Sequence, residues 1–242
     1  MREMGCSRQR RLLFLLPGAA ALVLLSSMTL GVPVAGAATT SSVLKAAKLA
    51  IARQSGARLH DVSRSGSSSE QVNADFGTKN GNETFLAGKS RVALRLTPAY
   101  GYLSGSASGL KAIFGLTAAE VKKIGTHWMS VKAGTTEYSA LKANLTISVL
   151  ANVLPAVKGT TMSMRVTHGV HLYVLKWTTA ATRSAPKFST TMTISSRTTL
   201  PAEEITTTST GSSTTTFSRW GERVVVTAPP ASSTISYTKV AG

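Results

Sequence analysis

Paired serines and lysines are the recurrent reactive grouping in this 242-residue chain. Ser-x-x-Lys, a spacing that lets a lysine sit beside a serine nucleophile, begins at Ser42, Ser108, Ser139, Ser184 and Ser236. Five copies in a Ser-rich chain single out no active site, and no Lys-Thr-Gly or Gly-x-Ser-x-Gly accompanies them. Only two aspartates occur, Asp61 and Asp75. A Ser-His-Asp triad would have to draw His60, His127, His168 or His171 from a distance. Glu203 and Glu204 are adjacent, so on a strand they face opposite ways. His168 and His171 have no carboxylate close in sequence and suit an exposed hairpin better than a metal site. Gly101, Gly105 and Gly109 lack the lysine of a phosphate loop and suit a tight passage from strand to helix. No catalytic residue, metal or cofactor is expected, and the chain is read as a non-enzyme.

The single cysteine, Cys6, excludes an intrachain disulfide and a four-cysteine zinc site. Lysine and arginine number 27 against 10 acids, a net charge of +17. The basic residues are scattered singly, with Lys122-Lys123 the only pair after residue 37, unlike the basic stripe of a nucleic-acid reader. Anionic membranes or envelope polymers are the expected partners, nucleic acid is not, and a monomer is expected.

The elements begin after an address segment. Arg2, Arg8, Arg10 and Arg11 precede an apolar run from Leu12 to about Leu30 and the small-residue exit Ala35-Gly-Ala37. Residues 1–37 read as a signal peptide cleaved near Ala37, which makes the protein secreted or extracytoplasmic in the cell envelope; an uncleaved anchor is the alternative. Residues 38–242 then form one domain.

Ser42–Gln54 presents Val43, Leu44, Ala47, Ala50 and Ile51 on one helical face. From Arg58 to Gly105, turn signals about every ten residues predict an antiparallel meander, with Val92, Leu94 and Leu96 on one face of its plainest strand. Helical spacing returns over 108–115, 117–124 and 138–154, with a Thr117/Glu120 capping box and Pro155 as the stop. His127–Val131 reads as a brief strand between them. After Lys158 strands resume to about Thr227: Met162, Met164 and Val166 share one face, Val170, Leu172 and Val174 share one face of the neighbour, and Arg223–Thr227 closes the series. The tail from Ala228 reads as a poorly packed end. The expected fold class is α+β: a single large curved antiparallel sheet with helices packed on its inner face.

This order, with Ala74-Asp-Phe-Gly77, Gly101-Tyr-Leu103, Phe114-Gly-Leu116, Trp128 before Ser130-Val131, Leu200-Pro201, Thr216-Phe-Ser-Arg-Trp220 and Val224-Val-Val226, resembles the LppX/LprG-type actinobacterial lipoproteins. It is similar in layout to the LolA-type carriers. The resemblance implies a U-shaped half-barrel whose concave face holds acyl chains of a lipid or lipoprotein. One family feature is missing, since Cys6 precedes the apolar run and no lipobox cysteine follows it. Flexible methionines at Met162, Met164 and Met192 would suit acyl chains of varied shape, although they could equally pack a core. The expected lining is Val92, Leu94, Leu96, Leu110, Phe114, Leu150, Met162, Met164, Leu172 and Val174. The rival reading is a ligand-free envelope binding or adhesion module with a closed core.

Overall fold

The computed structural model describes residues 38–182 and 186–241. The signal segment and Ser184 lie outside the described residues. Helix α1 (Thr40–Ala52) starts at Thr39, which forms a capping box with Ser42, and it buries Val43, Leu44, Ala47 and Ile51 as its spacing predicts. The first meander follows as β1 (Gly56–Ser65), β2 (Ser68–Gly77), β3 (Gly81–Ala87), β4 (Ser90–Leu96) and β5 (Tyr100–Gly105). Helices α2 (Ala107–Phe114) and α3 (Ala118–Ile124) come next, then β6 (Trp128–Lys132), α4 (Thr136–Leu145) and a 3-10 turn, Ile147–Val153. The second meander is β7 (Thr161–Thr167), β8 (Val170–Thr179), β9 (Phe188–Ser195), β10 (Pro201–Thr207) and β11 (Gly211–Ser218). The chain closes with β12 (Thr234–Ser236) and α5 (Tyr237–Ala241).

All twelve strands form one open sheet, ordered β12-β6-β5-β4-β3-β2-β1-β11-β10-β9-β8-β7. The fold class is α+β, as expected, but the sheet is mixed: β12 runs parallel to β6 while the meanders are antiparallel. A seam between β1 and β11, in register from Arg58↔Ser218 to Ser65↔Gly211, joins the two meanders. Directly paired residues share a face. The registers therefore place Asp61, Val72, Phe85, Val92 and Thr215 together on one side of the sheet.

The helices cover that side alone. One cluster packs Leu110, Ile124, Tyr138, Leu145 and Val240 against Val92, Leu94, Leu96, Leu103 and Met129. A second packs Ile51, Ile147, Val149 and Leu150 on Ala57, Phe76 and Phe217. A third packs Val43, Leu44 and Ala47 on Leu175, Met192 and Ile194.

Three local expectations are corrected. The helix predicted over 138–154 divides at Thr146, which turns extended at φ −114°, donates its hydroxyl to the Lys142 carbonyl at 2.8 Å and bridges Gly77 of the sheet. Residues 223–227 are not a strand. They belong to a strap over the face opposite the helices: the Gly221 amide donates to the Gly56 carbonyl, Asn80 Nδ2 to Val224 and Arg95 Nη1 to Thr227. The tail is packed, because this strap delivers β12 to the edge of β6 and leaves Val240 only 1% exposed.

Candidate functional site

A cavity of about 310 Å³ lies between the two layers. Its floor is Leu94, Leu103, Met129 and Val131, which the registers Leu94↔Leu103 and Leu103↔Met129 align across three strands. Ile113 and Phe114, from the end of α2, and Leu116 beyond it make one wall. Ala140, Leu141 and Asn144 of α4 make the other, with Tyr237 closing one side. Among the described residues, the charged side chains at this cavity are the carboxylates of Glu83 and Glu137.

The seat of α4 is set by backbone proximity. A Cβ on Gly81 would come within 2.0 Å of the Leu145 carbonyl oxygen, and one on Gly101 within 2.5 Å of the Leu141 side chain. At the other end of α4, the Tyr138 hydroxyl donates to the carbonyls of Thr97 and Pro98 at 2.9 and 3.1 Å. Burial pushes that phenol above its ordinary pKa.

Beyond the cavity, the same face becomes polar on β1, β11, β10 and β9. Asp61 Oδ2 accepts the hydroxyls of Ser213 and Thr215 at 2.5 and 2.7 Å, and Oδ1 that of Ser63 at 2.9 Å. Thr190 and Thr206 hydroxyls meet at 3.0 Å, both 1% exposed, and Glu204 is buried beside them. This belt separates the first cluster from the third.

The registers place every basic strand residue they pair, Arg58, Arg64, Arg91, Arg95, Lys132, Arg165 and Lys176, on the side away from the helices; Asp61, Glu70, Glu83 and Glu204 fall beneath the helices, and Asp75 and Glu203 on the outer side. On the outer side Arg58 Nε lies 2.7 Å from Asp75 Oδ1. Burial is the largest single influence on Asp75 and favours its neutral form, but the hydrogen bond and charge of Arg58, with the Asn82 hydrogen bond and the charge of Arg219, together outweigh it and hold the carboxyl below the usual range.

Of the ten residues expected to line a ligand site, the structure places Leu94 and Phe114 at the wall of this cavity. Val92, Leu96 and Leu110 are buried in the same cluster without lining the cavity, and Leu150 sits in the second cluster. Met162 packs against the third, and Met164 is 59% exposed. Leu172 and Val174 face away from the helices, because Met162 and Met164 pair with Leu175 and Tyr173. Leu103, Met129, Val131 and Leu141 were within reach of the sequence, as alternating or helically spaced apolar residues. Glu83 and Tyr237 carried no such signal.

Neither aspartate meets a histidine: His60 Nδ1 lies 2.8 Å from Asn73 Oδ1, and His127 Nδ1 3.2 Å from the Ile124 carbonyl. Among the described residues no group of three His, Cys, Asp or Glu side chains is placed to hold a metal ion, and no helix is long and apolar enough to cross a membrane.

Fold and site together define an open sheet roofed on one side by helices, with an apolar cavity between the layers. No protein-family model and no curated protein matches the chain. Among solved structures it is similar to LprF from Mycobacterium bovis, with a TM-score of 0.47 and 13% identity over 78% of this chain and 96% of that one. It is also similar to the Mycobacterium tuberculosis lipoprotein LppX, at 0.47 and 12% over 78% and 98%. A chain of the Pseudomonas aeruginosa MucA/MucB complex gives 0.37 and 12% over 80% and 59%.

Proposed function

We propose that this is an exported, non-enzymatic protein that holds the apolar tail of an amphiphile between β4–β6 and helices α2 and α4, acting as an acyl-lipid or lipoprotein carrier in the cell envelope. The observation that carries this reading is the cavity of about 310 Å³ floored by Leu94, Leu103, Met129 and Val131. That volume is at the small end of ligand pockets, which are mostly apolar with a few placed polar groups. It suits one apolar tail entering past Glu137 and Ala140, exposed residues on the cavity wall.

The closed-core envelope module has one observation in its favour. The Asp61–Thr215 belt interrupts the apolar face, so the cavity does not continue toward Met162.

Native mass spectrometry with organic extraction, followed by titration with cis-parinaric acid, tests the choice. An extractable acyl adduct and probe binding lost in Leu94→Trp and in Ala140→Phe, but kept in Met164→Trp, supports the carrier. Ala140 is exposed, so its variant tests the cavity without crowding the core. A bare mass with no probe bound selects the closed-core module.

A further inference from the structure

The far edge of the sheet carries a second feature, unrelated to the cavity. At the β7–β8 hairpin, Met164, Val166 and Val170 are 59%, 57% and 50% exposed. Met164 and Val166 lie on the helix side of the sheet and Val170 on the other, so the apolar surface wraps the tip rather than forming one flat patch. The tip turns through His168 and Gly169, both at positive φ. The Ser196 amide donates to the His171 carbonyl at 3.1 Å, which brings the β9–β10 turn and its Arg197 alongside the hairpin, and Arg165 pairs with Leu172 on its outer face.

Charge around this tip is one-sided. From Lys158 to Arg197, the stretch that supplies β7, β8 and β9, the chain contains no acid, whereas Lys158, Arg165, Lys176, Lys187 and Arg197 are basic; Glu203 and Glu204 stand on the next strand, β10. Most exposed apolar tips are incidental, but one set in an acid-free basic wing combines the two attractions of interfacial binding: burial of apolar side chains among lipid tails, and basic side chains at anionic headgroups. A second copy of the chain would bring two basic wings together, which disfavours self-pairing through β7.

We infer that the β7–β8 hairpin docks on an anionic lipid bilayer, with Met164, Val166 and Val170 entering the interface and Arg165 and Arg197 meeting the headgroups. The docking goes beyond tail binding and does not depend on it.

Flotation with phosphatidylglycerol/phosphatidylcholine vesicles and with phosphatidylcholine vesicles tests this. The chain used begins at Ala38, the first residue after the expected signal segment and the first that the structure describes. The expected result is binding to the anionic vesicles that weakens with salt and falls at least tenfold in Met164→Ser/Val166→Ser/Val170→Ser, with circular dichroism unchanged. Arg165→Glu/Arg197→Glu is expected to lower it similarly. Equal binding by the serine variant overturns the inference, as does failure of the parent chain to bind anionic vesicles. A hairpin-dependent dimer in light scattering would also overturn it, in favour of a second copy.

Discussion

The Thr215 hydroxyl donates to Asp61 Oδ2 at 2.7 Å across the pairing of β1 with β11. That carboxylate also gathers the Ser213 and Ser63 hydroxyls, so three side chains from the seam converge on one acid. Ser213 and Thr215 are 4% and 3% exposed, so neither can exchange its partner for bulk water. Asp61→Ala is expected to destabilise the protein by about 2–4 kcal/mol, because buried hydroxyls lose a charged acceptor. Urea unfolding should show a lower midpoint at unchanged slope.

A second expectation concerns the seat of α4. Gly81→Ala places a methyl group against the Leu145 carbonyl, backbone that cannot rotate aside. Overpacking of this kind costs roughly 1–3 kcal/mol. The helix must lift from β3 to relieve it, so cis-parinaric acid affinity should change together with thermal stability, whereas Gly88→Ala, where a Cβ meets nothing within 4 Å but φ is +54°, should affect stability alone.

The Arg58–Asp75 pair gives a pH signature. Asp75 is held below its ordinary pKa when folded, so its contribution is fully present above the unfolded value of about 4 and disappears as pH falls through the lower folded value. Arg58 is 40% exposed, and solvent screening limits the pair to about 1 kcal/mol. The stability difference between the parent and Asp75→Asn should be flat from pH 7 to about 5 and vanish under strong acid. A difference that persists undiminished there would assign the effect to packing.

Much of the layout could be read from residue order. Leu94 and Phe114 belong to elements with plain periodicity, and the structure places both at the cavity. Alternation, however, assigns residues to faces only within a strand. Met162 and Leu172 each belong to a regular series, yet the register of β7 with β8 sends the two series to opposite sides. The strap was missed because Val224-Val-Val226 has strand composition, whereas its contacts run across strands to Asn80 and Arg95. The double proline that resembles a terminus stands instead at the crossing to the β6 edge, where Pro229 is buried.

A fourth expectation follows from that crossing. Val240 is 1% exposed and packs with Ile124 and Met129. Val240→Asp would bury a charge there, so it should destabilise by more than 3 kcal/mol. Ser233→Ala, on the exposed hydrogen bond to the Pro230 carbonyl, should stay within about 0.5 kcal/mol of the parent in the same melt.

The β1–β11 seam also sets a folding order. Hairpins within either meander close short loops, while the Asp61–Thr215 contact joins residues 154 apart and the Ser130–Ile235 contact residues 105 apart. Loop closure on that scale loses chain entropy before any contact compensates it, so the local hairpins are expected to form before the seam, a sequence that pulse-labelling hydrogen exchange would read. Since β12 reaches β6 only along a strap that starts at the end of β11, its docking follows the seam. The last residues to find their place are then those that cover the edge beside β6, and until they do, that edge stands open to another chain.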